Sequence, residues 1–343
     1  MTPDARSMPP AGNARQLPVE EVIATLKRLG IVVGDSPGML RLVRQVARAA
    51  RAKGDILMRG ERGTGKSRLA RALHDLSLRK DGPYEVAHCA ALPENLVEDG
   101  LFGHEKGAFT DAKESRPGAF ERATGGTIYL PDITEMRQAV QPKLLGVLED
   151  RVVRRLGGTS EIAIDVRVIA DTNRDIFALA REDKFRADLC DRLDVIYLHV
   201  LPLREHLSDV QKLVGYFIAR YRAANATDVE GISPAALAEL MEYDFPGNVR
   251  ELKNIIIFSM AMEPSRVISV DTVRQKLRRL DAVEKEGSRR LPTEDEELEA
   301  LTMKRYEMFG HNVPKTAASL DKDPKTIQKR IARHEAKQPS ARV

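Results

Sequence analysis

The chain has 343 residues, of which 42% are hydrophobic and 31% charged, so it can bury a sizeable core. It has no apolar run near the ~20 residues that cross a bilayer, which excludes an integral membrane protein. The first 16 residues lack the apolar segment of a secretory signal, and only two cysteines occur, Cys89 and Cys190, so we expect a cytoplasmic protein rather than a disulfide scaffold.

The net charge of +4 is unevenly distributed along the chain. Residues 301–343 contain ten lysines and arginines against four acidic residues, a balance of +6 that leaves −2 for the preceding 300 residues. A basic C-terminal segment favours an anionic partner, most often nucleic acid. A solvated basic helix face would give the same count, so charge alone leaves both interpretations open.

The pattern of apolar residues divides the chain into segments. Residues 1–18 are typical of a disordered leader, and a short amphipathic helix follows over 19–29. Strand-like runs then alternate with helical segments as far as residue 203, which predicts an α/β domain with a parallel sheet. The predicted strands are 55–58, 84–88, 126–130, 166–170 and 195–199. Beyond residue 206 the pattern is helical only, and 281–297 is predicted to be a linker.

Residues 60–67 read Gly-Glu-Arg-Gly-Thr-Gly-Lys-Ser and match the phosphate-binding pattern GxxxxGK[ST] between a strand and a helix. Glycines allow successive backbone N–H groups to turn toward a phosphate, and the helix N-terminus adds positive potential. Lys66 reaches the terminal phosphates, and Ser67 is a Mg²⁺ ligand in this motif. A chance glycine-rich turn is the weaker alternative. The predicted nucleotide-binding residues are Gly60, Glu61, Arg62, Gly63, Thr64, Gly65, Lys66 and Ser67.

A second motif carries a resemblance to a known family. Gly107-Ala108-Phe109-Thr110-Asp111-Ala112 resembles the GAFTGA loop of bacterial enhancer-binding proteins, the AAA+ activators of the sigma-54 form of RNA polymerase. Further segments resemble the same family in the same order between residues 33 and 261. They begin at Cys89 (CAALPENL), Leu101 (LFGHEKGAFT), Gly118 (GAFERATGGT), Phe185 (FRADLCDRL) and Phe245 (FPGNVRELKN).

The resemblance implies an architecture. An AAA+ P-loop parallel sheet with helices on both faces is expected over 34–205, an all-helical lid over 206–280, and a Fis-type helix-turn-helix over 298–343, after the linker. The leader, 1–33, is too short for a sensory domain, so we expect control by a partner protein, by expression level or by another subunit. The family also implies a homo-oligomeric ring, commonly a hexamer, with ATP and Mg²⁺ between subunits; a mixed ring with a paralogue is the alternative.

The resemblance also implies roles for single residues. Arg186 and Arg192 match the arginine fingers, which stabilise charge at the neighbouring subunit's γ-phosphate. Asn173 matches sensor I and Arg250 matches sensor II. Phe109, flanked by small residues, has little to pack against locally, and an exposed aromatic side chain on a loop favours an intermolecular contact. The family makes that contact sigma-54, through residues 107–112; a buried phenylalanine in an ordinary turn is the alternative.

The sequence departs from the family at the end of the Walker B strand. Where the family has Asp-Glu, this chain has Pro131-Asp132. Proline has no metal-binding side-chain group, and aspartate is one methylene shorter than glutamate as a base, so Asp132 is left to serve both metal and catalysis. Ser67 partly compensates as a Mg²⁺ ligand. We expect nucleotide binding with weak or conditional hydrolysis.

Two alternative functions follow. One is a nucleotide-binding and DNA-binding regulator that hydrolyses ATP poorly or works in a mixed ring with an active paralogue, which Pro131-Asp132 favours. The other is an unrelated AAA+ remodelling protein, against which the Phe109 loop and the basic C-terminus argue.

The C-terminal residues predict three helices, over 298–309, 313–320 and 324–334. Asp323 is a suitable N-cap and Pro324 a suitable first residue for the last helix. Ile327 and Ile331 lie one turn apart and are predicted to face inward. An outward polar face would suit the major groove of double-stranded DNA. Its residues are Lys325, Thr326, Gln328, Lys329, Arg330 and Arg333. A small helical oligomerisation module is the alternative.

Overall fold

The computed structural model describes residues 17–89, 94–110, 112–288, 302–303, 305–306, 308–320 and 323–337. The chain forms two compact units, one up to Leu277 and one from Arg278 onward. Within the described residues, no helix combines the length and the apolar character needed to cross a membrane.

A five-stranded parallel sheet forms the centre of the first unit. Its strands are β1 Ile56–Arg59, β2 Tyr84–Val86, β3 Thr127–Leu130, β4 Arg167–Thr172 and β5 Ile196–His199. They lie in the order β2-β3-β4-β1-β5, and every neighbouring pair is parallel. All five predicted strands are confirmed, with ends shifted by one or two residues. They were recognisable because a parallel sheet is covered on both faces and its strands are short apolar runs.

Alternate residues of the strands enter two separate hydrophobic clusters, which shows that helices cover both faces of the sheet, as predicted. Ile128 and Leu130 pack into one cluster, whereas the intervening Tyr129 packs into the other with Met58 and Ile169. The helices of this α/β part are α1 Val19–Arg28, α2 Pro37–Arg51, α3 Lys66–Asp75, α4 Glu94–Phe102, α5 Ala119–Arg122, α6 Gln141–Asp150, α7 Ile176–Arg181 and α8 Ala187–Leu193.

The lid that follows is helical apart from one short parallel pair, Gly231–Ile232 with Val267–Ile268. Its helices are α9 Val210–Ala224, α10 Pro234–Met241, α11 Asn248–Met262 and α12 Val270–Ser288. Two antiparallel pairs interrupt the α/β part, Gly103–His104 with Arg116–Pro117 and Val152–Val153 with Ile162–Ala163.

Two predicted boundaries need correction. Leu17 is only 3% exposed and packs with α1, so the leader does not extend to residue 18; residues 1–16 lie outside the described part. Helix α12 continues to Ser288, so the first eight residues of the segment predicted to be a linker, 281–288, are helical. Glutamate, lysine and arginine are good helix formers even where they have no core to cover, so a charged composition does not by itself indicate a linker. Residues 289–297 lie outside the described part.

The second unit contains helical residues at 302–303, 305–306 and 308, followed by α13 Val313–Ser319 and α14 Pro324–Lys337. Ala317, Ile327 and Ile331 form its buried centre, so the predicted inward face of α14 is confirmed. The Asp323 carboxylate accepts the backbone N–H of Lys325 at 2.7 Å, as expected of an N-cap.

Candidate nucleotide-binding site

The P-loop connects β1 to α3. Gly63 and Gly65 have φ values of 84° and 98°, in the left-handed region where a side chain is disfavoured. The Lys66 ammonium group is nearly buried and donates to the carbonyl oxygens of Gly60, at 2.9 Å, and Glu61, at 3.2 Å. The structure therefore holds a positive charge at the mouth of the loop, where the sequence motif predicted it.

Two adjoining pockets meet at this loop. One is largely apolar and the other polar, and they share Gly65, Arg68, Phe217 and Val249. The apolar pocket is lined mainly by Ile31, Val32, Met39, Leu42, Leu69, Val200, Leu201 and Leu213. The polar pocket is lined by Arg62, Gly63, Lys66, Ser67, Pro131, Asp132, Asp171, Arg250 and Lys253. An apolar slot continuous with a basic pocket suits a planar base attached to phosphates.

The lid contacts the P-loop directly through the turn before α11. Asn248 is fully buried with φ 54°, and its amide nitrogen donates to Glu61 Oε2 and to the Arg62 carbonyl oxygen, both at 3.1 Å. Its amide oxygen accepts the backbone N–H of Leu203 at 2.7 Å. This bridge was not predicted from the sequence, although Asn248 lies within one of the segments that carry the family resemblance.

Arg250 and Glu61 add to the contact between the lid and the P-loop. The Arg250 backbone N–H donates to the Gly63 carbonyl oxygen at 3.3 Å, and the residue lines the polar pocket; its sensor II role stays a prediction. The Arg204 guanidinium binds both carboxylate oxygens of Glu61 and lowers the pKa of that carboxyl. These contacts therefore couple a movement of the lid to the conformation of the P-loop.

The Walker B strand ends as the sequence indicated, one residue before Pro131. Asp132 follows with φ 48°, a left-handed conformation that aspartate tolerates better than most residues. Both Pro131 and Asp132 line the polar pocket beside Lys66 and Ser67. Asp132 therefore lies in the polar pocket. Its side chain is one methylene shorter than that of glutamate, which is why we expect weak ATP hydrolysis.

A second carboxylate lies in this pocket that the sequence analysis did not identify. Asp171, the fifth residue of β4, is 2% exposed, and its Oδ1 lies 3.9 Å from Lys66 Nζ. The Tyr129 hydroxyl donates to Asp171 and lies 3.1 Å from Ser67 Oγ. Burial raises the pKa of Asp171, and burial together with the Asp171 charge raises the pKa of the Tyr129 hydroxyl.

Asn173 comes directly after β4, at the predicted sensor I position. Its side-chain oxygen is buried and has no hydrogen-bond partner among the described residues. Buried polar atoms are nearly always paired, so this oxygen suits a water molecule or ligand at the end of the sheet. The oxygen atoms of Ser67, Asp132 and Asp171, which line the polar pocket, fit Mg²⁺, which prefers hard oxygen ligands.

The two predicted arginine fingers lie in different environments. The Arg186 side chain is 46% exposed, and its ion pair among the described residues is with Asp188 in the first turn of α8, at 2.7 Å. Arg192 instead donates to the Leu148 carbonyl oxygen at 2.7 Å and lies 3.6 Å from the buried Asp55 carboxylate. Arg186 is therefore exposed to solvent, whereas Arg192 is held by contacts within its own chain.

We expect Asp132→Glu to raise ATP turnover by at least about tenfold. A positioned base commonly contributes roughly 10²–10⁴ to rate, and the longer side chain extends the reach of the carboxylate by one methylene. Steady-state phosphate release measures the effect. Glutamate in the left-handed conformation of residue 132 is disfavoured by about 1 kcal/mol. A thermal melt of both proteins therefore checks that the variant remains folded at the assay temperature. Equal turnover in both proteins would show that Asp132 is already sufficient.

The Phe109 loop connects Gly103–His104 to Arg116–Pro117. Phe109 is 39% exposed, as the loop prediction requires, but it is not without a partner. Its ring packs edge-on against His104 at 4.9 Å, and that imidazole is fixed by the Asp99 carboxylate at 2.5 Å and the Glu114 carbonyl oxygen at 2.8 Å. Among the other predicted sigma-54 contacts, Ala112 is buried and Asp111 lies outside the described residues.

A second hairpin supports this loop. The Glu105 backbone N–H donates to the Leu156 carbonyl oxygen at 2.9 Å, and a β-carbon at Gly157 would lie 2.9 Å from that of Ala108. Arg155 pairs with Glu105 at 3.1 Å and with Glu121 at 2.7 Å. This support was not predicted, because residues 154–161 lie outside the motifs recognised in the sequence.

The predicted DNA-binding residues lie on α14 of the second unit. Lys325, Gln328 and Lys329 are exposed and Thr326 is half-buried, so these four lie on or beside the outward face. The side chains of Arg330 and Arg333 lie outside the described part, although their backbone belongs to α14.

The parallel sheet, the P-loop and the helical lid define a AAA+ P-loop protein. Residues 32–199 match the family described as "Sigma-54 interaction domain", and residues 204–290 match the "AAA+ ATPase lid domain". The chain belongs to the sigma-54-dependent enhancer-binding family, which confirms the resemblance.

Individual relatives agree with this assignment. The chain is similar to the regulatory protein AtoC of Escherichia coli K12, at 40% identity over 76% of this chain and 56% of AtoC. It is also similar to the Nif-specific regulatory protein of Herbaspirillum seropedicae, at 45% identity over 67% of this chain and 42% of that protein. The chain thus spans about half the length of these curated relatives. The solved structure of NtrX from Brucella abortus in complex with ATP has a TM-score of 0.65 and 28% identity, covering 91% of this chain and 71% of NtrX.

Proposed function

We propose that this chain is an ATP-dependent activator of sigma-54 RNA polymerase. In this proposal it binds ATP with Mg²⁺ between subunits of a ring, contacts sigma-54 through the Phe109 loop and binds double-stranded DNA through its C-terminal unit. The observation that carries the proposal is the P-loop held against the lid by Asn248, on the same domain that presents a half-exposed Phe109. The ATP bound to the similar NtrX supports the choice of nucleotide.

Each residue at the pocket has a role in this proposal. Lys66 binds the terminal phosphates, Asn173 and Arg250 report on the γ-phosphate, and Asp132 orients the attacking water. Ser67 would hold Mg²⁺, which when bound would neutralise charge developing on the phosphates. The hydrogen bond between Asn248 of the lid and Glu61 of the P-loop couples nucleotide binding at the phosphate site to the position of the lid.

The exposed position of Arg186 supports the proposal of a ring. Within the described part of the chain this exposed arginine forms an ion pair with Asp188, and a guanidinium offered to a neighbouring site would complete a phosphoryl-transfer centre. We propose a homo-oligomer with the family's hexameric ring. Arg192 is held by Leu148 and Asp55, so in this proposal it shapes the interface between subunits and does not contact the phosphate.

The test is ATP turnover by the purified full chain, alone and with sigma-54 and promoter DNA. The proposal expects low turnover alone and an increase when the partners are present. No turnover under any condition, with nucleotide still bound, would favour the second candidate, a nucleotide-binding and DNA-binding regulator that needs an active paralogue. Pro131-Asp132 is the observation that favours this candidate.

DNA binding by the full chain is expected to weaken steeply as salt rises. Each phosphate contact contributes roughly −0.9 to the slope of log affinity against log salt. Replacing Lys325 and Lys329 together by alanine should therefore make the slope less negative by about 1.8. Lys80→Ala, an exposed lysine of the first unit, is the matched control and should leave the slope unchanged. A salt response that is flat in the wild type would contradict DNA binding through this unit.

A further inference from the structure

Asp171 lies level with Pro131 in the sheet. Strands β3 and β4 are parallel, and Leu130 pairs with Ala170, so the next residues, Pro131 and Asp171, stand side by side. Neighbouring strands are about 4.8 Å apart, and residues at the same level of a sheet point to the same face. The carboxylate missing at the end of β3 is thus present one strand away.

The surroundings of Asp171 belong to the phosphate site. Lys66 Nζ lies 3.9 Å from Oδ1, and the Asp132 backbone N–H donates to the same oxygen at 3.2 Å. The Tyr129 hydroxyl bridges Asp171 and Ser67. One tyrosine therefore couples this carboxylate to the hydroxyl group that the P-loop motif assigns to Mg²⁺.

Packing alone does not account for a carboxylate at this position. Asp171 is 2% exposed, and a buried charge is retained where it is paired or where it binds a metal ion. Its cationic partner, Lys66, already donates to two P-loop carbonyl oxygens and is needed for phosphates. An apolar residue would fill the end of β4 without this cost, so the carboxylate favours a role toward a ligand cation.

We propose that Asp171 supplies the metal-side carboxylate that Pro131 cannot, acting with Ser67 on the Mg²⁺ of the bound nucleotide, while Tyr129 orients both groups. The inference rests on the proposed nucleotide site and adds a residue to it. Asp132 is then left to a single role, the orientation of water.

The test is calorimetric titration of the full chain with ADP, once in EDTA and once with excess Mg²⁺. Wild type should bind more tightly with Mg²⁺. In Asp171→Asn, the increase in ADP affinity on adding Mg²⁺ should be about 10–100-fold smaller than in the wild type, the usual range for a perturbed metal site. In EDTA this variant should bind ADP at least as tightly as the wild type, because a negative charge beside the phosphates is removed. Asp165→Asn, which affects a surface aspartate paired with Arg79, is the matched control.

Two further variants complete the test. Asp132→Asn should lower ATP turnover yet keep the Mg²⁺ gain in ADP affinity, and this variant also decides the question if Asp171→Asn does not fold. Pro131→Asp in the Asp171→Asn background should restore the gain. The proposal is overturned if Asp171→Asn keeps the gain or if Asp132→Asn loses it. Failure of the wild type to bind ADP both in EDTA and with excess Mg²⁺ would contradict the nucleotide site itself rather than the assignment of Asp171.

Discussion

Lys66→Ala is expected to abolish nucleotide binding, with a loss of at least about 100-fold in affinity, roughly 2.7 kcal/mol. The ammonium group is nearly buried and is already positioned at the P-loop by the carbonyl oxygens of Gly60 and Glu61, so its removal takes away the cation that the loop itself holds in place for the phosphates. Hydrogen bonds to charged groups contribute about 1.5–3 kcal/mol each. Calorimetric titration with ADP and ATP measures the loss.

The control for this substitution is Lys80→Ala, which removes an exposed lysine beyond the far end of α3. It should bind nucleotide as the wild type does. Both proteins should show the same circular dichroism, since Lys66 contributes little to the hydrophobic core. Wild-type affinity in Lys66→Ala would mean that the polar pocket is not a phosphate site.

Phe109→Ala is expected to remove binding to sigma-54 and to leave ATP affinity unchanged. The side chain is 39% exposed, and it lines neither of the two pockets at the P-loop. A large aromatic side chain at the centre of a contact commonly contributes 2 kcal/mol or more, at least about 30-fold in affinity. A pull-down of sigma-54 with the chain held in a trapped nucleotide state measures the loss.

The matched control is Phe177→Ala, because Phe177 is exposed to a similar extent, 37%, and lies on α7 away from the loop. This variant should bind sigma-54 in the pull-down as the wild type does. His104→Ala tests the packing partner of Phe109 and should weaken the interaction less than Phe109→Ala, since it loosens the ring without removing it. Sigma-54 binding that survives Phe109→Ala would place the contact elsewhere.

The parts of the site that were predictable from sequence are those encoded by consecutive residues. The P-loop needs glycines, a lysine and a serine at fixed spacing, and its strand and helix follow from local pattern. The same is true of Asp323 as the N-cap of α14, because a cap is a contact between near neighbours in the chain.

The parts that were missed depend on which strands and loops become neighbours. Asp171 is an unremarkable residue in β4 until the register places it beside Pro131. Asn248 contacts a loop 186 residues away, and only the folded lid brings them together. Arg192 matched a finger by motif, yet its distance to Asp55 could not be read from local spacing. Such long-range pairings are set by tertiary packing, which hydrophobic periodicity does not encode.

The most direct test of the account is the association of the full chain with sigma-54, followed by sedimentation velocity with no nucleotide, with ADP, and with ADP plus aluminium fluoride as a γ-phosphate mimic. The account predicts that a ring carrying sigma-54 forms with the mimic and is absent or much weaker in the other two states, because the Phe109 loop acts in response to the phosphate site. A chain that binds the mimic but never associates with sigma-54 would contradict the account.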